Sequence, residues 1–159
     1  TQKIVKAACA ILKGTQDILY LGNLDAVRDW GHAEDYVEGM WRMLQQDKPD
    51  DYVLATGTSC SVRDFVGEVF GALGREIIWQ GRGAEEVGML LENNRKVVRI
   101  APEFYRPAEV YNLIGDSRKA QQNLKWSIRK TRHNLIKDMI YAELNKHATA
   151  GGHTQRARA

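Results

Sequence analysis

Cysteine is scarce: Cys9 and Cys60 are the only two in 159 residues. Two are too few for a disulfide scaffold, their spacing matches no metal motif, and they fit a reducing cytosol. No run approaches 18 apolar residues, so the sequence offers no membrane-spanning helix. The opening TQKIVKAACAILKG is interrupted by Lys6 and has no signal-peptide cleavage region; it reads as an amphipathic helix. Internal repeats are absent, as are G-x-S-x-G, H-E-x-x-H and P-loop patterns. A dinucleotide fingerprint needs a strand, a glycine-rich turn and a helix N-terminus. The glycines in GEVFGALG (Gly67, Gly71 and Gly74) instead sit inside a helix, as small residues on a packed helix followed by a C-terminal stop. A Tyr with Lys four residues on would put phenol and ammonium on one helix face and lower the phenol's pKa. None of the six tyrosines qualifies: Tyr20, Tyr36, Tyr52, Tyr105, Tyr111 and Tyr141 are followed by Leu24, Met40, Thr56, Glu109, Gly115 and Asn145.

What is present is a globular composition, 43% hydrophobic and 27% charged, which argues against disorder of the whole chain. Ile4, Val5, Ala8, Ile11 and Leu12 predict a helix over 2–13, stopped by Gly14. Residues 18–23 read as a short strand and 25–32 as a polar loop. Val37, Met40, Trp41 and Leu44 predict a buried face on a helix over 33–46, and YVLAT (52–56) is strand-like. Ser61 and Asp64 open the clearest helix in capping-box fashion, Val62, Phe65, Val66, Val69, Phe70 and Leu73 form its stripe, and Gly74 ends it. Strands follow at 77–81 and 96–100, with 82–95 between them read as a loop containing a short helical turn. Residues 101–110 are a loop, 112–116 a short strand, 117–124 a helix, and Arg132 to about His147 a last helix with Leu135, Ile136, Met139, Ile140 and Leu144 on its face. The tail, 148–159, has almost no apolar bulk and is expected to be disordered and basic. Alternating strands and helices make the fold class α/β. The first residue is Thr, and the chain starts within a helical pattern. It is therefore expected to be a piece of something longer, although a processed start would look the same.

Net charge is +3, unevenly spread: from Ser117 to Lys137 there are seven Lys or Arg residues and no acid. Such a stretch can bind phosphate backbones or be a solvated surface, and no nucleic-acid signature accompanies it. His32, beside Trp30, is a candidate base or metal ligand, or a helix-start residue that caps and packs. Two polar loops carry ligand chemistry. In the first, Arg28 is flanked by Asp25, Asp29 and Trp30; in the second, Arg106 precedes Pro107, which restricts it to extended backbone, and Glu109 follows. A guanidinium fork suits a diphosphate and a carboxylate can accept both hydroxyls of a ribose. The alternative on residue types alone is surface ion pairing, Arg28 with Asp29 or Asp25 and Arg106 with Glu103, worth roughly 0–1 kcal/mol each.

The stretches GNLDAVRDWGH, SVRDFV, YRPAEV and LIGDSRKAQQNLKW occur in this order, and over about residues 1–147 the chain resembles the GDP-mannose 4,6-dehydratase family of the extended short-chain dehydrogenase/reductases. The resemblance implies a lyase of the GDP-fucose route in the cytoplasm. NADP sits in an N-terminal Rossmann domain and takes hydride from sugar C4. A Glu then removes the C5 proton, water leaves from C6, and hydride returns to C6. It also implies that residues 1–147 are the C-terminal, GDP-sugar-binding part: a small mixed α/β substrate domain plus a helix and strand (about 33–56) that would complete a Rossmann sheet. Catalytic and cofactor-binding residues would then lie upstream of Thr1, and the chain alone would be inactive, its 33–56 face exposed. Matched motif by motif, Lys3 would contact GDP, Arg28 and Arg106 the diphosphate, Glu109 the ribose, and Asn23 would border the pocket. Gln2 stands where the family has an Arg that reaches a neighbouring subunit's cofactor, which would weaken a homo-oligomer. Tyr111 stands where the family has an acid, and Trp126-Ser127-Ile128 lacks a family Pro. The resemblance brings no metal, membrane or nucleic-acid partner. The alternatives are a non-catalytic nucleotide-sugar-binding or regulatory subunit and, further off, a basic nucleic-acid-binding module.

Overall fold

The computed structural model describes residues 1–105 and 112–146. Helix α1 (Gln2–Leu12) buries Ile4, Val5, Ala8 and Ile11, as their spacing requires. It closes at Gly14 (φ 74°), where the Gly14 and Thr15 amides donate to the carbonyls of Ile11 and Ala10, satisfying groups the helix end leaves open. Strands β1 (Leu19–Leu21) and β2 (Val27–Asp29) precede α2 (Ala33–Met43). Strand β3 (Ser59–Ser61) runs straight into α3 (Val62–Ala72). Ser61 and Asp64 form the expected reciprocal cap, and Gly74 (φ 74°) closes the far end. Then come β4 (Ile77–Gln80), a 3-10 turn at Gly83–Glu85, β5 (Val87–Leu90), β6 (Lys96–Ile100) and a second 3-10 turn at Pro102–Phe104. Strand β7 (Asn112–Leu113), α4 (Arg118–Leu124) and α5 (Arg132–Asn145) complete the described residues. The missing Pro after Trp126 is no obstacle to α5, because Thr131 and Asn134 cap it reciprocally. The predicted tail at 148–159 lies outside the described residues.

Two sheets result. One has the order β1-β6-β5-β4, with β1 parallel to β6 and the other pairs antiparallel; the other has the order β3-β2-β7. Helices α1, α3 and α5 share the main core with the first sheet, centred on Phe65, Val66, Val69, Phe70, Val98 and Ile136. A smaller core joins α2 to α4 around Trp126, which is 1% exposed; its indole Nε1 donates to the Asp35 carbonyl at 2.6 Å. The buried Asp35 carboxylate in turn accepts from the amides of Arg129 and Lys130. No helix among the described residues is long and apolar enough to cross a membrane.

The expected α/β class holds, and several local expectations do not. Residues 27–29, expected in a loop, form the central strand of the second sheet, flanked by β3 and β7. β5 forms within the expected loop 82–95, because Gly88 lets Trp79 and Val98 close over the strand where a Cβ would lie within 3.0 Å of both. The expected strand 52–56 does not form: a strand needs a partner to take its N–H and C=O groups, and 52–56 has no ladder among the described residues. Val37, Met40, Trp41 and Leu44 are exposed, 57–83%, rather than buried; the face predicted from their spacing exists, and nothing among the described residues covers it. Gly67 and Gly71 are not tight packing positions either, since a Cβ at each would meet nothing within 4 Å.

Candidate functional site

Lys3 lies on the first turn of α1, and its Nζ stands 3.8 Å from the centre of the Phe104 ring. The Phe104 carbonyl presses against Gly22, where a Cβ would sit 2.1 Å from it, so only glycine lets the 22–25 turn approach. Asn23, next in the chain, is buried, and its Oδ1 accepts the Asp25 amide at 2.9 Å. Thus Lys3, Phe104 and the turn of Asn23 converge at one end of β1. Gln2, also on this turn of α1, is exposed.

Arg28 occupies the middle of β2, opposite Cys60 of β3 and Leu113 of β7. Its Nη1 donates to the Val27 carbonyl at 2.8 Å. Both acids proposed as ion-pair partners are engaged elsewhere. Asp29 accepts from the Thr56 amide, the Thr56 hydroxyl and the Gly57 amide at 2.6–3.0 Å. Asp25 pairs with Arg63 at 2.5 Å. Arg28 borders a cavity of about 360 Å³ with Asp29, Tyr36, Val53, Ala55 and Leu113. Burial, followed by the charges of Asp29 and Asp35, pushes the Tyr36 phenol above its ordinary range and keeps it protonated.

Arg106 and Glu109 lie outside the described residues. Of the described residues on either side, Phe104 holds Lys3 and Asn112 pairs with Val27 beside Arg28.

His32 caps α2: its Nδ1 accepts the Glu34 amide at 3.2 Å, and its Nε2 faces Asp138 at 3.3 Å. This is the capping alternative, and no group of three or more potential metal ligands occurs among the described residues. Trp30 stacks on Phe65 at 4.4 Å, which makes it a packing residue. In the basic stretch, Arg118, Lys119, Arg129, Lys130 and Arg132 meet Asp116, Asp50, Glu38, Glu34 with Asp138, and Glu68, so much of its charge is neutralised locally. Sequence reasoning missed the Arg63 cluster with Asp25 and Glu86, because its three members lie far apart in the chain with no motif linking them.

The fold is that of part of the extended short-chain dehydrogenase/reductases, about two-fifths of the matched structures' length. It resembles the structure of RMD from Pseudomonas aeruginosa complexed with NADPH, with a TM-score of 0.69 and 13% identity, covering 89% of this chain and 41% of that one. It also resembles UDP-glucose 4-epimerase from Bifidobacterium longum in complex with NAD+ and UDP, with a TM-score of 0.68 and 18% identity, covering 92% of this chain and 39% of that one.

The family model for GDP-mannose 4,6 dehydratase matches residues 1–139, and the chain belongs to that family. The GDP-mannose 4,6-dehydratase of Sinorhizobium fredii is 50% identical over 145 residues, covering 91% of this chain and 41% of the relative. The human GDP-mannose 4,6 dehydratase is 45% identical over 144 residues, covering 91% of this chain and 39% of the relative. The chain thus spans about two-fifths of the length of these curated relatives.

Proposed function

We propose that this chain supplies the GDP-sugar-binding part of a GDP-mannose 4,6-dehydratase. In this reading Lys3 contacts the GDP moiety, Arg28 and Arg106 grip its diphosphate, Glu109 takes the ribose hydroxyls, and Asn23 borders the nucleotide. The observation that carries it is the family match over residues 1–139. The Arg28 guanidinium lines a cavity, and its planar fork suits a diphosphate.

The family reaction needs NADP to accept hydride from the sugar and return it. The described residues do not fit that group: β1 leads through Gly22 into a turn and another strand, not into a helix N-terminus, so no phosphate cradle forms there. The sequence also has no Tyr followed four residues on by Lys. Binding and orienting the substrate are therefore the contributions assigned to this chain, and the 159 residues alone are expected not to turn over GDP-mannose with added NADP.

The test is calorimetry with GDP. A hydrogen bond to a charged group is worth about 1.5–3 kcal/mol, so Arg28→Ala or Arg106→Ala should weaken GDP binding at least about tenfold. Unchanged binding in both variants would remove the assignment. A second reading, a non-catalytic subunit that associates with complete enzyme, is favoured by the uncovered face of Val37, Met40, Trp41 and Leu44. Co-expression with a full-length relative tests it: the absence of both co-purification and any change in activity counts against it.

A further inference from the structure

We propose that Asp25 and Arg63 are positioning residues for the nucleotide site: Arg63, anchored on the buried Glu86, holds Asp25 and so fixes the turn that carries Asn23 into the strand of Arg28. This rests on the GDP-sugar reading above. The Arg63 guanidinium uses all three of its nitrogens. Nε and Nη2 donate to the two oxygens of Glu86 at 2.8 and 2.7 Å, and Nη1 donates to Asp25 Oδ1 at 2.5 Å. The Glu86 side chain is only 7% exposed, whereas that of Asp25 is 63% exposed. One end of the link is thus fixed in the protein interior and the other reaches a surface turn.

Two anchors act on that turn at different points. Its backbone is tied to α3, because the amides of Val62 and Arg63 donate to the carbonyls of Ala26 and Leu24, both at 3.0 Å. Those bonds survive any change to the Asp25 side chain. The Asp25 amide, meanwhile, is the donor that orients Asn23 Oδ1. Fixing Asp25 from its side chain therefore fixes the group that sets the Asn23 rotamer. Two residues further on, Val27 enters the register that places Arg28 opposite Cys60. A lysine at 63 could not replace the arginine, since one ammonium lacks the planar fork that spans Glu86 and Asp25 together.

The division of anchors separates this role from simple support of the fold. Asp25 sits at an exposed pair, and such pairs contribute little to global stability. In the full 159-residue chain, Asp25→Ala should keep its melting temperature within about 2 °C of wild type. It should bind GDP three- to tenfold more weakly by calorimetry and exchange the Asp25 amide hydrogen faster. Arg63→Lys should weaken GDP binding by at least as much. Wild-type GDP affinity retained in both variants would overturn the positioning role and leave the GDP-sugar reading standing. An affinity loss that merely tracks a fall in melting temperature would also overturn it. Failure of the wild-type chain to bind GDP would remove the reading and this inference together.

Discussion

Two tryptophans close to one helix should respond in opposite ways to truncation. Trp126 is 1% exposed, packs with Leu124, Tyr36 and Leu54 in the smaller core, and donates to the Asp35 carbonyl at 2.6 Å. Trp41 lies on α2 itself and is 59% exposed. Removing a buried indole costs about 3–5 kcal/mol through lost transfer and the cavity left behind. Losing the hydrogen bond to a buried carbonyl accounts for about 1–3 kcal/mol of what such a site forfeits. Trp126→Ala should therefore consume a large part of the ~5–15 kcal/mol that a domain has in total. Trp126→Phe keeps most of the apolar bulk and should fall between wild type and Trp126→Ala. Trp41→Ala should shift stability by no more than about 0.5 kcal/mol and should reduce self-association, since it removes the largest ring from an uncovered apolar face. Urea denaturation followed by circular dichroism reads all three, with light scattering for association. Equal destabilisation by the Trp41 and Trp126 truncations would refute the reasoning, because the outer face of α2 would then have to be buried.

Gly71→Ala should stabilise the chain by about 0.5–1 kcal/mol, since α3 has open space there and glycine costs that much in a helix; a lower urea midpoint would contradict it. At Gly115 the reverse holds: a Cβ would lie 2.3 Å from the Ala55 Cβ, so Gly115→Val should cost about 1–3 kcal/mol and disturb the cavity beside Arg28, which the same titration measures. Burial pushes the Cys60 thiol from an ordinary 9.0 up to about 11. Between those values the folded chain keeps a proton that the unfolded chain has lost, so stability should fall as pH rises through that window. Alkylation of Cys60 at pH 8 should accordingly require unfolding, and rapid labelling of the native chain would count against its burial.

What could be read in advance depended on whether a signal was local. Helix α3 was legible from end to end because its cap residues, its apolar stripe and its terminal glycine all lie in one continuous stretch. Strands β2 and β3 were not, since three residues are too few to display a period of two, and β2 is half-buried throughout. The spacing on α2 revealed an apolar stripe but not whether anything covers it, because coverage is a property of other chain segments. The segment 52–56 has strand-like residues, but a ladder requires a neighbour. At the candidate site, residue types alone favour an ion pair for Arg28 over a ligand role. The structure shows Asp29 bonded to Thr56 and Gly57, and Asp25 to Arg63, and no sequence pattern announces either.

The parallel pairing of Leu19–Leu21 with Val98–Ile100 has a consequence for biosynthesis. During translation at about 5–20 residues per second, the first strand would wait roughly 4–16 seconds before its partner had been made. Throughout that delay its edge would lack its native neighbour and be open to a wrong one. Pairings so distant in sequence also slow the search for the native topology, so yield on expression should depend on the pace of elongation.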